Sequence, residues 1–243
     1  MNGFFTEVRE TLFPPRDAKD GPLPPLLVAM TLVTGLIDAF SYLVLGHVFV
    51  ANMTGNVLFI AFALAGEPGF SIASSLIALG SFGLGSLVGG LVGSRMGDHR
   101  GRLLSTAAEI QALLLTVAVV LSILAGSPVA EGYGYLLIIA LGIGMGLQNA
   151  TARKLGVPDL TTTVLTLTIT GMVADSRWAG GSGSKAGRRL ISVLAMFTGA
   201  LIGVLMILNS LIVYPLVVAA VIIALISLTS RTLSRNHPAW NGK

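Results

Sequence analysis

Long apolar runs separated by short polar joints set the pattern of the chain. Six of them, residues 24–46, 71–94, 103–125, 133–152, 189–209 and 211–230, have the length and uniformity of membrane-crossing helices. A helix rising about 1.5 Å per residue needs about 20 residues to span a hydrocarbon core roughly 30 Å thick. Two further runs, 47–66 and 157–175, have the length but not the uniformity. The first contains NMTGN at 52–56, and the second reads VPDLTTTVLTLTITGMVAD. The pattern predicts an all-α polytopic integral membrane helix bundle with six full crossings and two polar segments that break or re-enter.

Basic residues choose between crossing and re-entry, because lysine and arginine are retained on the cytoplasmic side. If all eight runs crossed from a cytoplasmic amino terminus, Arg95, Arg100, Arg102, Arg153 and Lys154 would lie outside, five of the fifteen basic residues. If the two polar runs dip and return, all fifteen are cytoplasmic and the outer loops carry only Glu67 and Glu131. The second arrangement is the one expected. It gives a cytoplasmic leader over 1–23, membrane repeats over 24–125 and 133–230, and a cytoplasmic tail over 231–243. The leader mixes acids, bases and prolines, unlike a signal peptide, and residues 4–13 form an amphipathic stretch suited to a membrane surface.

Composition agrees: 53% of residues are hydrophobic, only 11% are charged, and the mean hydropathy is +0.85. The absence of cysteine excludes disulfides, thiolate metal sites and cysteine nucleophiles. His47, His99 and His237 fall far apart in this topology, so neither a metal site nor a cofactor is expected. The net charge of +4 is not interleaved with aromatics as a nucleic-acid surface requires, and is read as topological. The expected partners are the lipid bilayer and a small polar solute or cation, with a second copy of the chain as a further option. No serine–histidine, paired-aspartate or metal constellation lies at one depth, so an enzyme is not expected.

The two halves resemble each other. GLIDA at 35–39 matches GLQNA at 146–150 at an offset of 111, and GSLVGGL at 85–91 matches GALIGVL at 199–205 at an offset of 114. Between these matches, NMTGN corresponds to the threonine run from Thr161. Three crossings per half is an odd number, which predicts inverted repeats, a plan in which broken helices meet near the midplane and line a solute site. Gly85, Gly89 and Gly93 recur every fourth residue, as do Gly199 and Gly203, so small residues line one side of each helix and admit a close neighbour. That neighbour can belong to the same chain.

The run GLIDAFSYLVLGHVFVANMTGNVLFIAFALAG resembles the signature region of the YoaK-like family of bacterial multi-pass inner-membrane proteins, domain of unknown function 1275. Asp38 and the element Phe49, Ala51, Asn52, Thr54, Gly55 and Asn56 carry the likeness. The resemblance implies a bacterial plasma-membrane address and no established activity.

Asp38 lies about two-thirds along the first crossing, where an intramembrane carboxylate marks a proton- or cation-coupling residue unless it only packs helices together. Irregular backbone at membrane depth is tolerated where protein or a water-lined cavity satisfies it. Asn52, Thr54 and Asn56 can supply those partners, line a solute site, or cap the half-helices with Gly55 allowing the bend. In the second half the expected solute contacts are Asn149, Thr161, Thr162 and Thr163, although threonines of such a run also bond their own helix backbone. Pro158 and Asp159 suit a helix start, and Glu109 is expected to snorkel toward Arg100 and Arg102. The leading expectation is a small-solute transporter or channel-like protein with a midplane polar site. The alternative is a non-transporting assembly partner or sensor.

Overall fold

The computed structural model describes residues 2–15, 18–96, 99–130, 132–163, 165–181 and 185–236. Glu131 and His237, discussed above, lie outside them. Nine α-helices and no strand occur among the described residues: α1 (Asn2–Leu12), α2 (Leu23–Val44), α3 (Met53–Leu64), α4 (Ile72–Arg95), α5 (Arg100–Ala125), α6 (Tyr133–Leu155), α7 (Leu165–Ala174), α8 (Ala186–Leu208) and α9 (Tyr214–Asn236). Six of them, α2, α4, α5, α6, α8 and α9, are long and apolar enough to cross a membrane.

Local chemistry sets the helix ends. Prolines occupy the first turn of α2, where the missing N–H costs nothing. Ser71 accepts a hydrogen bond from Ser74 N to open α4. Gly156, in the left-handed conformation, closes α6.

Alternating chain direction gives the bundle two ends. The basal end receives the leader, the described residues of the α4–α5 joint and the carboxyl ends of α6 and α9; the distal end holds residues 45–71, 126–130 and 209–213. Every described lysine and arginine is at the basal end.

The long helices pack in three main pairs, α2 with α8, α4 with α6 and α5 with α9. Glycine makes the first two crossings possible. A Cβ on Gly85 would fall on the Ile143 carbonyl oxygen, and one on Gly199 would fall on that of Leu32. Gly146 sits in the same way against Phe82 and Ser86, and Gly35 against Met196 and Ala200. Leu32 and Gly35 correspond at the offset of 111 to Ile143 and Gly146, so one contact is built twice. Gly89 and Gly93 continue the row against Ala150 and Lys154, and Gly203 continues the other against Ala39. Both glycine rows are therefore spent inside this chain.

The α5–α9 pair is polar at its basal half. Ser227 Oγ donates to Ser105 O at 3.1 Å, and Ser230 Oγ donates to Gly101 O at 3.0 Å. Glu109 faces α9, where it pairs with Arg231 at 2.6 Å and accepts from Ser227 Oγ at 3.2 Å. The expected partner Arg100 lies elsewhere: it donates to Asp20 and to the Leu155 carbonyl, each at 3.0 Å, binding the leader to the end of α6. Glu109 is more than two turns into α5, beyond reach of a side chain committed to the opposite neighbour.

The amphipathic leader is docked. In α1, Glu7 Oε2 accepts from Gly187 N at 3.0 Å, placing a carboxylate at the amino end of α8. Thr11 is buried, whereas Phe5 and Phe13 are exposed.

Candidate functional site

The distal broken segment returns along the helix it leaves. After α2 ends, His47 adopts a left-handed φ of 55° and its Nδ1 lies 3.1 Å from Gly69 O at the distal rim. The chain then descends without helical structure until the N–H groups of Val50 and Ala51 donate to Asp38 Oδ1 at 3.3 and 3.0 Å. Asp38 is six residues before the end of α2, so the chain sinks about 9 Å before α3 carries it back. Val48, Val50 and Ala51 are buried. Buried backbone without a ladder requires other partners, and side chains provide them.

Asn56 is one such side chain. Fully buried, it accepts from Phe49 N at 2.9 Å and donates to Phe49 O at 2.6 Å, the two bonds a neighbouring strand would make. Gly55 leaves room for the Phe49 ring, which stacks on Tyr42 and Phe59 at centroid distances of 5.0 and 5.6 Å. Asn52 precedes the first turn of α3 without a side-chain capping bond, and both it and Thr54 are exposed. Of the three residues expected to contact solute here, Asn56 braces the loop and the other two lie on the surface at its elbow.

The basal broken segment repeats the device with different atoms. Asn149, equivalent to Asp38 at the offset of 111, donates through Nδ2 to Thr163 Oγ1 at 2.6 Å. Thr161 is exposed; Thr162 is buried at a φ of 63°, and its hydroxyl has no partner among the described residues. Pro158 and Asp159 do not start a helix. Asp159 is left-handed at φ 65°, and α7 begins at Leu165, because the Asp159 carboxylate is taken by Arg189 Nε at 2.8 Å. Arg189 Nη1 also holds Asp175 at 2.9 Å, with its guanidinium seated under Gly171. Arg189→Met is expected to loosen residues 159–175. A cysteine at Leu160, a fully buried position, should label about tenfold faster in that background, equivalent to about 1.4 kcal/mol of lost closure. Lysine at 189 should restore protection only in part, since one ammonium lacks the forked geometry that spans two carboxylates.

Between the two anchors runs a file of buried amides that the sequence pattern did not assign. Gln111 on α5 donates through Nε2 to Gln148 Oε1 on α6 at 2.7 Å. Gln148 Nε2 donates to Thr34 Oγ1 on α2 at 2.9 Å, and Thr34 in turn donates to Met30 O at 3.1 Å. Gln111, Gln148 and Thr34 are at most 1% exposed, and Gln111 Oε1 has no partner among the described residues. Thr34 is one helical turn from Asp38, and Gln148 adjoins Asn149. The anchors and the file therefore form one polar column along α2 and α6. The only advance signal was the cost of an amide in an apolar run.

A cavity of about 650 Å3 opens at the distal end among Val44, Leu45, Gly46, Ser74, Tyr135 and Ile138. Its Val44 wall is about 9 Å along α2 from Asp38, and the column beneath is closed by side chains.

Six apolar spans enclosing a buried polar column define a polytopic helical membrane protein. The chain belongs to the family described as protein of unknown function DUF1275, whose model matches residues 26–229. It is similar to the UPF0700 transmembrane protein YoaK of Bacillus subtilis (strain 168), with 36% identity over 152 residues, 62% of this chain and 65% of that protein. No solved structure matches.

Proposed function

We propose that the protein is a small-solute transporter or channel-like protein of the bacterial plasma membrane, with two inverted halves and both termini cytoplasmic. The observation that carries this reading is the matched pair of anchors: Asp38 and Asn149, 111 residues apart, each pin the chain that follows their helix, and buried Thr34, Gln148 and Gln111 bond to one another alongside them. Inverted repeats with interrupted helices at the midplane are a recurrent plan of secondary transporters. The collection of described lysines and arginines at the basal end supports a cytoplasmic assignment for that end. On this reading 47–66 and 157–175 are re-entrant, the distal cavity is an outer vestibule, and the column is in an occluded state.

The column offers carbonyl, amide, hydroxyl and carboxylate groups and no described lysine or arginine. A neutral polar solute or a small cation suits it better than an anion. Asp38 couples or selects charge, while Asn149, Thr162 and Thr163 are the predicted solute contacts nearest the column; Asn52, Thr54 and Thr161 meet solute only if the elbows open.

The test is flux into liposomes containing purified protein, with protons and small polar solutes as probes. Asp38→Asn keeps an acceptor for Val50 and Ala51 but removes the ionisable group. It is expected to retain the fold and reduce flux at least about tenfold, a barrier change of about 1.4 kcal/mol. Flux equal to that of protein-free liposomes for both proteins would leave the assembly or sensor alternative standing.

A further inference from the structure

At the basal end a second cavity of about 610 Å3 lies between α5 and α9 beside the end of α4, and the transport reading makes no use of it. Arg102, Arg231 and Arg235 line it together with His99 and the hydroxyl-bearing Ser105 and Thr106. Glu109 offsets one of the three arginines through Arg231, and Asp98, adjacent in sequence, is outside the described residues.

One further feature points to an anion. His99 stands immediately before the first turn of α5 without capping it by its side chain, so the amino end of a 26-residue helix faces the same region. Arginines, a helix amino end and hydroxyls together match a phosphate group.

The surface above the cavity identifies what carries the phosphate. From Arg235 and Arg231 the same side of α9 continues through Leu228, Leu225 and Val221, and from Arg102 and Thr106 that of α5 continues through Leu113, Val117 and Val120. All six of these apolar residues are exposed. A headgroup held at the basal end would have acyl chains lying along both tracks, and a basic pocket between transmembrane helices is suited to an anionic headgroup. We infer that this cavity binds the phosphodiester headgroup of an anionic phospholipid whose acyl chains pack along α5 and α9.

The experiment is a thermal-stability titration of the detergent-solubilised full chain with phosphatidylglycerol, with phosphatidylcholine of identical acyl chains, and with inorganic phosphate. Phosphatidylglycerol should raise the melting temperature saturably, and the other two should not. Arg102→Gln combined with Arg235→Gln should weaken the phosphatidylglycerol midpoint at least tenfold, while Arg153→Gln with Lys154→Gln, equal in charge and exposed at the same end, should leave it unchanged. An equal response to phosphatidylcholine, an equal loss in the control pair, or an equal shift with inorganic phosphate would each overturn the assignment. A double variant whose melting temperature without lipid matches the wild type, yet whose phosphatidylglycerol midpoint is unmoved, would overturn it as well.

Discussion

Gly85→Ala is expected to destabilise the protein by roughly 3 kcal/mol, while Gly83→Ala, half a turn away on α4, is neutral or stabilising. In an isolated helix both substitutions help, since alanine is favoured over glycine by about 1 kcal/mol. Their surroundings reverse the sign at one position only. A methyl group at Gly85 would occupy the place of the Ile143 carbonyl oxygen, whereas nothing lies within 4 Å of the Cβ position at Gly83. Over-packing typically costs about 1–3 kcal/mol, and the upper end applies because backbone cannot rotate aside as a side chain can. Gly199→Ala, which meets the Leu32 carbonyl in the α2–α8 crossing, should behave as Gly85→Ala does. Equilibrium unfolding in mixed micelles measures all three. Equal stability of the Gly83 and Gly85 variants would remove the close α4–α6 approach from the account.

The glycine prediction also marks where sequence reasoning stopped. Spacing every fourth residue revealed that Gly85, Gly89 and Gly93 share a side, but not that α6 covers it, because partners as distant in sequence as Ile143, Ala150 and Lys154 leave no local periodicity. The six long apolar spans were legible because the length of an apolar run is matched to the thickness of a bilayer. Their limits were less so. α5 starts at Arg100 rather than 103 and α9 continues to Asn236 rather than 230, since helices extend past the hydrocarbon into polar surroundings where hydropathy carries no signal.

The broken segments were legible as broken. Which portion is helical was not, because the division at Met53 and Leu165 depends on contacts made with other elements. Asn56 could be recognised as a group needing a partner, but its partner, Phe49 backbone seven residues earlier, exists only once the chain turns back on α2. Asp159 looked like the acidic start of a helix; Arg189, thirty residues later, converts it into a tether. Gln111 and Gln148 sit on separate helices, and their bond follows from how α5 packs on α6.

Replacing Asp38 by leucine is expected to cost roughly 2–6 kcal/mol, because it leaves the buried N–H groups of Val50 and Ala51 without their acceptor at about 1–3 kcal/mol each. Water cannot take over in an apolar surround, which places the effect in the upper part of that range. Asp38→Asn keeps one carbonyl oxygen where Oδ1 stands and should remain within about 1 kcal/mol of the wild type. Stability and flux then separate two roles of one side chain: asparagine supplies the anchor without the titratable oxygen, and leucine supplies neither. The equivalent change in the other half is weaker by the same reasoning. Asn149→Leu removes a single neutral bond to Thr163, worth about 1 kcal/mol, so the two variants should rank in the order of the bonds they break. The measurement is unfolding midpoint together with labelling of a cysteine at Val50, fully buried in the wild type. If Asp38→Leu unfolds with the wild-type protein and its Val50 site stays protected, Asp38 is not what holds the descending chain, and the case for paired anchors fails with it.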